Sequence, residues 1–234
     1  MTTVLVFNCM EQKALKHVGI IMDGNRRWAT QRGLPTFEGH RRGYEAIVAI
    51  ARHAVSLKIP YLTVFAFSTE NWSRSDEEVG FLLKLFTHAI AERMDEMQKL
   101  GVQLHFLGRL ADFPSELQAL AAEAETVTSS NTAGHLSIAL GYGGRQEIVD
   151  AAQAAVKSGE ITEAAMAANL YAPQVPELDL VIRTSGEQRL SGFMLWRAAY
   201  AELYFTPTLW PDFTPADLDK ALAEYASRQR RFGA

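Results

Sequence analysis

The chain has 234 residues, 48% of them hydrophobic and 21% charged, with a net charge of −4; these are ordinary values for a globular protein, and the acidic balance argues against general nucleic-acid binding. No apolar run approaches the ~18 residues that cross a bilayer, and a lone cysteine, Cys9, excludes a disulfide framework or cysteine-rich metal site and fits a reducing cytoplasm. Sixteen arginines against seven lysines favour planar, forked recognition of phosphate or carboxylate oxygens.

Residues 1–16 show no clear period and read as a lead-in arm. Val18–Met22 is apolar and β-branched, which predicts a strand buried on both faces. Asp23-Gly24-Asn25 is turn chemistry, so that strand stops there and presents Asp23, Asn25, Arg26 and Arg27 at its carboxyl end. Thr30–Glu38, with Gly33 and Pro35, reads as a loop. Gly39–Lys58 carries a helical stripe through Ile47, Ile50, Ala51, Ala54 and Val55, stopped by Pro60. Tyr61–Phe67 is a second strand that breaks into the polar run Ser68–Arg74. Ser75-x-x-Glu78 is a capping box opening a long helix through Val79, Leu82, Phe86, Ile90, Met94 and Met97, ended by Gly101.

Val102–Leu107 is a third strand, followed by a helix from about Pro114 to Thr128. His135–Leu140 is a fourth strand, which ends in Gly141-Tyr142-Gly143-Gly144-Arg145. A helix over Gln146–Lys157 gives way to a poorly patterned segment. Leu178–Ile182 is a fifth strand delivering Arg183 and Arg189, and Glu202–Phe205 is a short sixth. Thr214-Pro215 caps and starts the last helix.

This alternation predicts one α/β domain, a mainly parallel six-stranded sheet flanked by helices. In such a sheet the strand carboxyl ends share one edge, the edge at which ligands bind. Asp23, Ser68, Glu70, Asn71 and the arginines at 26, 27, 74, 145, 183 and 189 all follow strands, which points to an anionic ligand and, at Asp23, a divalent metal. P-loop, dinucleotide, nucleophile-elbow and H-E-x-x-H patterns are all absent. His53, His88 and His105 read as structural; His40, near the Asp23 turn, is the histidine to hold as a site candidate. The stripes Ile47–Val55 and Val79–Met97, with Ala66, supply core and could line an apolar channel between sheet and helices.

The runs H-V-G-I-I-M-D-G-N-R-R-W (17–28), G-H-R-R-G (39–43), F-A-F-S-T-E-N-W-S-R (65–74), G-Y-G-G-R (141–145), D-L-V-I-R-T-S-G-E-Q-R-L-S (179–191), A-Y-A-E-L-Y-F (199–205) and R-Q-R-R-F-G (228–233) resemble the cis-prenyltransferase family, of which undecaprenyl diphosphate synthases are members. The resemblance implies condensation of isopentenyl diphosphate with an allylic prenyl diphosphate, as in making a polyprenyl carrier-lipid precursor for cell-wall synthesis. By the same resemblance Asp23 holds Mg²⁺ and assists departure of the allylic diphosphate, which Gly24, Asn25, Arg26, Arg27, Trp28 and His40 cradle. Arg183, Arg189, Leu190 and Ser191 bind isopentenyl diphosphate, and Glu202 is the second metal contact. Asn71, with Ser68, Thr69, Glu70, Trp72 and Arg74, belongs to a segment that orients isopentenyl diphosphate and removes its proton. A homodimer is implied, with Arg230-Arg231-Phe232-Gly233 completing the neighbouring site, in the cytoplasm with peripheral membrane contact for product release.

Four positions differ from the residue most usual in the family. Thr36 stands where an arginine is usual, and Arg26, where a glycine is frequent, is expected to compensate; Ser185 and Gly192 replace a common glycine and asparagine. Two further readings stand beside the main one: a short-chain or branched prenyl diphosphate synthase, and a non-catalytic partner subunit. The second is disfavoured by the presence of Asp23, Asn71, Arg183, Arg189 and Glu202, and a trans-type synthase by the absence of D-D-x-x-D.

Overall fold

His17–Ile21 forms β1, buried at every position because it lies between two parallel neighbours, β2 (Tyr61–Ser68) and β5 (Leu180–Arg183). With β3 (Val102–Leu107), β4 (Gly134–Tyr142) and β6 (Glu202–Phe205) the sheet has the six strands the sequence predicts; it runs β3-β4-β2-β1-β5-β6, with all strands parallel where a mainly parallel sheet is expected. The computed structural model describes residues 15–228; most of the lead-in arm and the tail with Arg230, Arg231, Phe232 and Gly233 lie outside the described residues. Strand order reverses at β1, with β2 on one side and β5 on the other. That reversal is the switch point where open α/β sheets form a ligand crevice.

Seven helices accompany the strands among the described residues: α1 (Asn25–Gln31), α2 (Thr36–Ser56), α3 (Asp76–Lys99), α4 (Ser115–Thr128), α5 (Gly144–Lys157), α6 (Glu163–Ala168) and α7 (Pro215–Ser227). Alternate strand residues divide the core between two layers. Val18, Ile20, Val64, Leu104 and Leu136 pack with α2, α3, α4 and α7, whereas Ile21, Leu107, Ala139 and Val181 pack with Phe193 and Met194.

The second layer is fastened by a buried ion pair. Glu147 of α5 is fully buried and meets Arg197 at 2.8 Å. Glu147 also accepts from the Tyr142 hydroxyl and the Tyr171 N–H, and Arg197 donates to the carbonyls of Tyr171, Ala172 and Val175. Beside it the Gly144 N–H donates to the Gly192 carbonyl at 2.8 Å, so the segment after Ser191 is held against α5.

Three local features differ from expectation. α1 occupies the stretch from the expected Asp23–Asn25 turn into the start of the expected Thr30–Glu38 loop, because Gly24 at φ 112° turns the strand directly into a helix; α1 buries only Ala29 and so shows no apolar stripe in sequence. α2 begins at Thr36, three residues early, and α6 is too short to reveal a period. The Ser75 capping box is half made: Ser75 Oγ accepts the Glu78 N–H at 3.3 Å, but the Glu78 carboxylate is bonded elsewhere. Reciprocal boxes form instead at Ser68/Asn71 and Thr214/Asp217.

Candidate active site

Asp23 sits just past β1 with its backbone fixed and its side chain aimed into the crevice. Its N–H donates to Thr184 Oγ1 at 2.9 Å, and the Thr184 hydroxyl and the Trp210 N–H donate to its carbonyl at 2.7 and 3.0 Å. Carboxylate Oδ2 accepts from Arg183 Nη2 at 2.8 Å, while Oδ1 lies 3.6 Å from Arg27 Nη2. The switch point therefore joins the end of β1 to the end of β5 through an acid–arginine contact.

Arg183 is almost wholly buried, which costs free energy unless its donors are used. Nη1 donates to Ser191 Oγ at 2.7 Å and to the Arg189 carbonyl, but Nε has no partner among the described residues. Arg27 donates to Ser185 Oγ at 2.6 Å and to its carbonyl at 3.2 Å, and it meets Glu187 at 3.3 Å; Arg189 also pairs with Glu187. Ser185 holds φ 76°, a left-handed conformation that favours glycine, and its hydroxyl is what the serine adds there.

A second group of charges stands across the crevice, drawn from α1, α2, α3 and the turn that precedes α3. Glu78 accepts from Arg74 Nη1 at 2.9 Å and contacts His40 Nε2 at 3.1 Å, with Arg26 Nη1 at 4.0 Å. Burial lowers the pKa of His40 below its ordinary value, partly offset by the Glu78 hydrogen bond. Across both groups, five guanidiniums face the carboxylates of Asp23, Glu78 and Glu187, so the rim is net positive with His40 neutral.

The run after β2 closes a third side. Thr69–Ser73 is a 3-10 turn in which Asn71 Oδ1 caps the Ser68 N–H at 3.0 Å. Trp72 packs edge-on to Phe67, with ring centroids 4.9 Å apart, and 5.0 Å from Phe113. Thr69 lies where a Cβ on Gly143 would fall, and Glu70 is exposed.

Behind the charged rim an apolar cavity of about 110 Å³ runs between the sheet and helices α2 and α3. Met22, Asn25 and His40 line its rim end, and Leu104, Leu136 and Met97 its far end. Leu104, Leu136 and Leu62 are in register with Val18, four residues behind Met22, so the cavity reaches roughly 13 Å down the sheet. The channel expected between sheet and helices is present, and Ala66, Ile47 and Met94 line it. Ile50 and Ala54 are buried core.

Glu202 requires a correction. It opens β6 in register with Leu180, three residues before Arg183, at the amino end of the sheet, roughly 10 Å behind the Arg183 level. Its carboxylate is engaged by Arg228 Nη1 at 3.0 Å. Within one chain, Asp23 and Glu202 are therefore not a metal pair. Trp28 turns outward from α1, donating to Asp212 at 2.7 Å beneath Arg32, rather than into the cradle. Arg145 is exposed at the first turn of α5, and Leu190 packs against the second core layer.

No cluster of three or more His, Cys, Asp or Glu side chains suited to an ion occurs among the described residues. The donor set nonetheless fits Mg²⁺ held jointly with a phosphorylated ligand, because that ion commonly takes one or two carboxylates and completes its shell with phosphate and water. Asp23 is one partly exposed carboxylate on an arginine-lined rim. The sequence reading missed Glu78, Glu187 and Thr184 as site residues; the capping pattern disguised the first, and the other two show no motif of their own.

A family model described as "Putative undecaprenyl diphosphate synthase" matches residues 21–233. An isoprenyl transferase of Neisseria meningitidis is 47% identical over 220 residues, covering 93% of this chain and 89% of that protein. A ditrans,polycis-undecaprenyl-diphosphate synthase of Coxiella burnetii, described as (2E,6E)-farnesyl-diphosphate specific, is 46% identical over 226 residues, covering 93% and 95%. Among solved structures, lavandulyl diphosphate synthase from Lavandula x intermedia in complex with dimethylallyl diphosphate superposes with a TM-score of 0.89 at 39% identity, covering 94% of this chain and 98% of that one. A probable undecaprenyl diphosphate synthase from Campylobacter jejuni gives 0.83 at 30% identity, covering 95% and 100%.

Proposed function

The chain belongs to the cis-prenyltransferase family of isoprenyl transferases and undecaprenyl diphosphate synthases, and from that membership we propose that it extends an allylic prenyl diphosphate, farnesyl or shorter, with isopentenyl diphosphate to give a Z-prenyl diphosphate, a precursor of a polyprenyl carrier lipid for cell-wall synthesis. The observation that carries this reading is the junction of an arginine-lined rim with the mouth of an apolar cavity at Met22, Asn25 and His40. An amphiphile with a diphosphate head and a prenyl tail has those two requirements and that order.

In this reading Asp23 would hold Mg²⁺ beside the allylic diphosphate, and when bound the ion would supply electrophilic stabilisation of the leaving group. Arg26, Arg27 and His40, with the Gly24-Asn25 backbone at the start of α1, hold that diphosphate. Arg183, Arg189 and Ser191 take the second. Breaking the allylic C–O bond leaves the electron pair on the diphosphate, and the preorganised guanidiniums stabilise it. The isopentenyl double bond supplies the electrons of the new C–C bond, and a proton leaves its C2; Asn71 orients that substrate in the segment that removes the proton. The apolar lining keeps water from the cationic carbon. A homodimer whose tails complete each other's sites, a cytoplasmic setting and peripheral membrane contact for product release belong to the same reading.

The likeness to lavandulyl diphosphate synthase favours a second reading, a short or branched product. Purified protein with Mg²⁺, labelled isopentenyl diphosphate and allylic primers of three lengths separates the two. Products many units long are expected; a single addition selects the short-chain reading, and no incorporation with any primer overturns both. Chelation with EDTA is expected to abolish incorporation, and full activity in EDTA would remove the metal.

A further inference from the structure

Glu78 is placed by sequence as the fourth residue of a capping box, a role that would tie its carboxylate to the Ser75 backbone. The structure diverts it. Ser75 caps α3 alone, and the Glu78 side chain, only 14% exposed, points across the crevice mouth to Arg74 at 2.9 Å, His40 at 3.1 Å and Arg26 at 4.0 Å. These three groups come from three places: the end of the 3-10 turn after β2, the interior of α2, and the first turn of α1. The reciprocal capping bond is given up, and what replaces it gathers two guanidiniums and the His40 imidazole on that side of the rim.

We propose that Glu78 is an internal stand-in for a diphosphate: a positioning residue whose carboxylate holds Arg26, Arg74 and His40 at the crevice mouth and gives them up to the incoming anion. Two observations carry this. Glu78 competes directly with any anion those groups bind, since each guanidinium and the imidazole face it at ion-pair distance. The opposite side of the rim is built alike, with Glu187 between Arg27 and Arg189, so acid-bridged cations are the resting arrangement of both walls. A carboxylate that must be displaced weakens ground-state binding and keeps long side chains ordered; it also offers the cations a partner when the diphosphate product leaves.

The inference rests on the diphosphate-binding reading of the rim, and the test separates the two. Inorganic diphosphate is titrated calorimetrically into the full-length protein, as wild type, Glu78→Gln and Glu45→Gln. Glu45 lies on the same helix as His40, pairs with exposed Arg41 and Arg42, and controls for loss of one surface charge. Glu78→Gln keeps the shape and an acceptor for His40 but loses the charge. It is expected to bind diphosphate at least about tenfold more tightly, since at an effective dielectric near 20 even a unit charge roughly 12 Å away is worth about a factor of ten. The Glu45 variant is expected to stay within about twofold of wild type. In turnover, Glu78→Gln should lower the allylic KM without raising kcat, a split that loosened packing would not give. Unchanged or weaker diphosphate binding in a Glu78→Gln protein that melts like wild type overturns the proposal, as does an equal gain in the Glu45 variant. Absence of diphosphate binding by wild type would instead overturn the reading of the rim itself.

Discussion

Asp23 shows how a side chain is freed for chemistry by fixing everything around it. Its N–H and carbonyl are tied to Thr184 and Trp210, so removing the carboxylate leaves the local backbone bonds in place. Asp23→Asn, which keeps an oxygen acceptor for the buried Arg183, is therefore expected to melt within a few degrees of wild type while kcat falls by about 10²–10³-fold, the usual scale for losing one electrostatic contributor. Near-normal turnover in a steady-state assay would contradict the role given to it. Ser185 carries the opposite trade. Its left-handed backbone costs about 1–2 kcal/mol against glycine, and in return its hydroxyl accepts from Arg27. A serine in place of the commoner glycine is thus a substitution with a stated partner, which the sequence could not show because the partner lies 158 positions away.

At the scale of elements, the cradle depends on how closely α1 lies on α2. A Cβ at Gly43 would fall 2.5 Å from Asn25 Oδ1, and one at Gly39 would collide with the Asn25 carbonyl. The two glycines on α2 thus form a groove for the first residue of α1. Gly43→Ala is expected to destabilise the fold by about 1–3 kcal/mol, as overpacking does, and to raise the allylic KM, both measurable by denaturant titration and initial rates. Wild-type stability in that variant would show that the groove has slack. These contacts also mark where the sequence was legible. The strands were readable as short apolar or aromatic runs bounded by turn residues, and β3 and β6 fall where those bounds put them although β3 carries Gln103 and His105 and β6 is only half-buried. α1 was hidden because a short helix with one buried residue has no stripe. That Glu202 lies away from Asp23 within one chain was hidden because motif order says nothing about which end of a strand a residue occupies.

The whole molecule separates its chemistry from its anchorage along the sheet axis. Charged groups of the rim gather past the carboxyl ends, and the amino end of β1 is pinned by His17, whose ring contacts Thr63 Oγ1 at 2.7 Å and the Pro176 carbonyl at 2.8 Å. Burial lowers the His17 pKa to about 4, with the Pro176 hydrogen bond opposing. The unfolded chain then binds a proton near pH 6.5 that the folded chain refuses until about pH 4. Its contribution is complete above pH 6.5 and is lost as pH falls toward 4, by up to about 3 kcal/mol. Urea midpoints measured from pH 7.5 to 4.5 should fall on the acid side, and His17→Gln should flatten that slope; an unchanged slope would assign the acid sensitivity to other groups. A mainly parallel six-stranded sheet whose carboxyl ends gather Asp23 and the arginines on one edge was readable from strand succession; the strand order and the meeting of Asp23 with Arg183 were not, because no local pattern says which strands become neighbours. The pairing of Glu78 was not, because it joins three elements whose relative placement no local pattern encodes. The Glu147–Arg197 pair has a consequence for substitution in this layer. Changing either member alone strands a charge in a dry core, at about 3–5 kcal/mol. Replacing both would still take away the partners of the Tyr142 hydroxyl, the Tyr171 N–H and the carbonyls of Tyr171, Ala172 and Val175. The two positions therefore accept exchange only together with the polar groups around them.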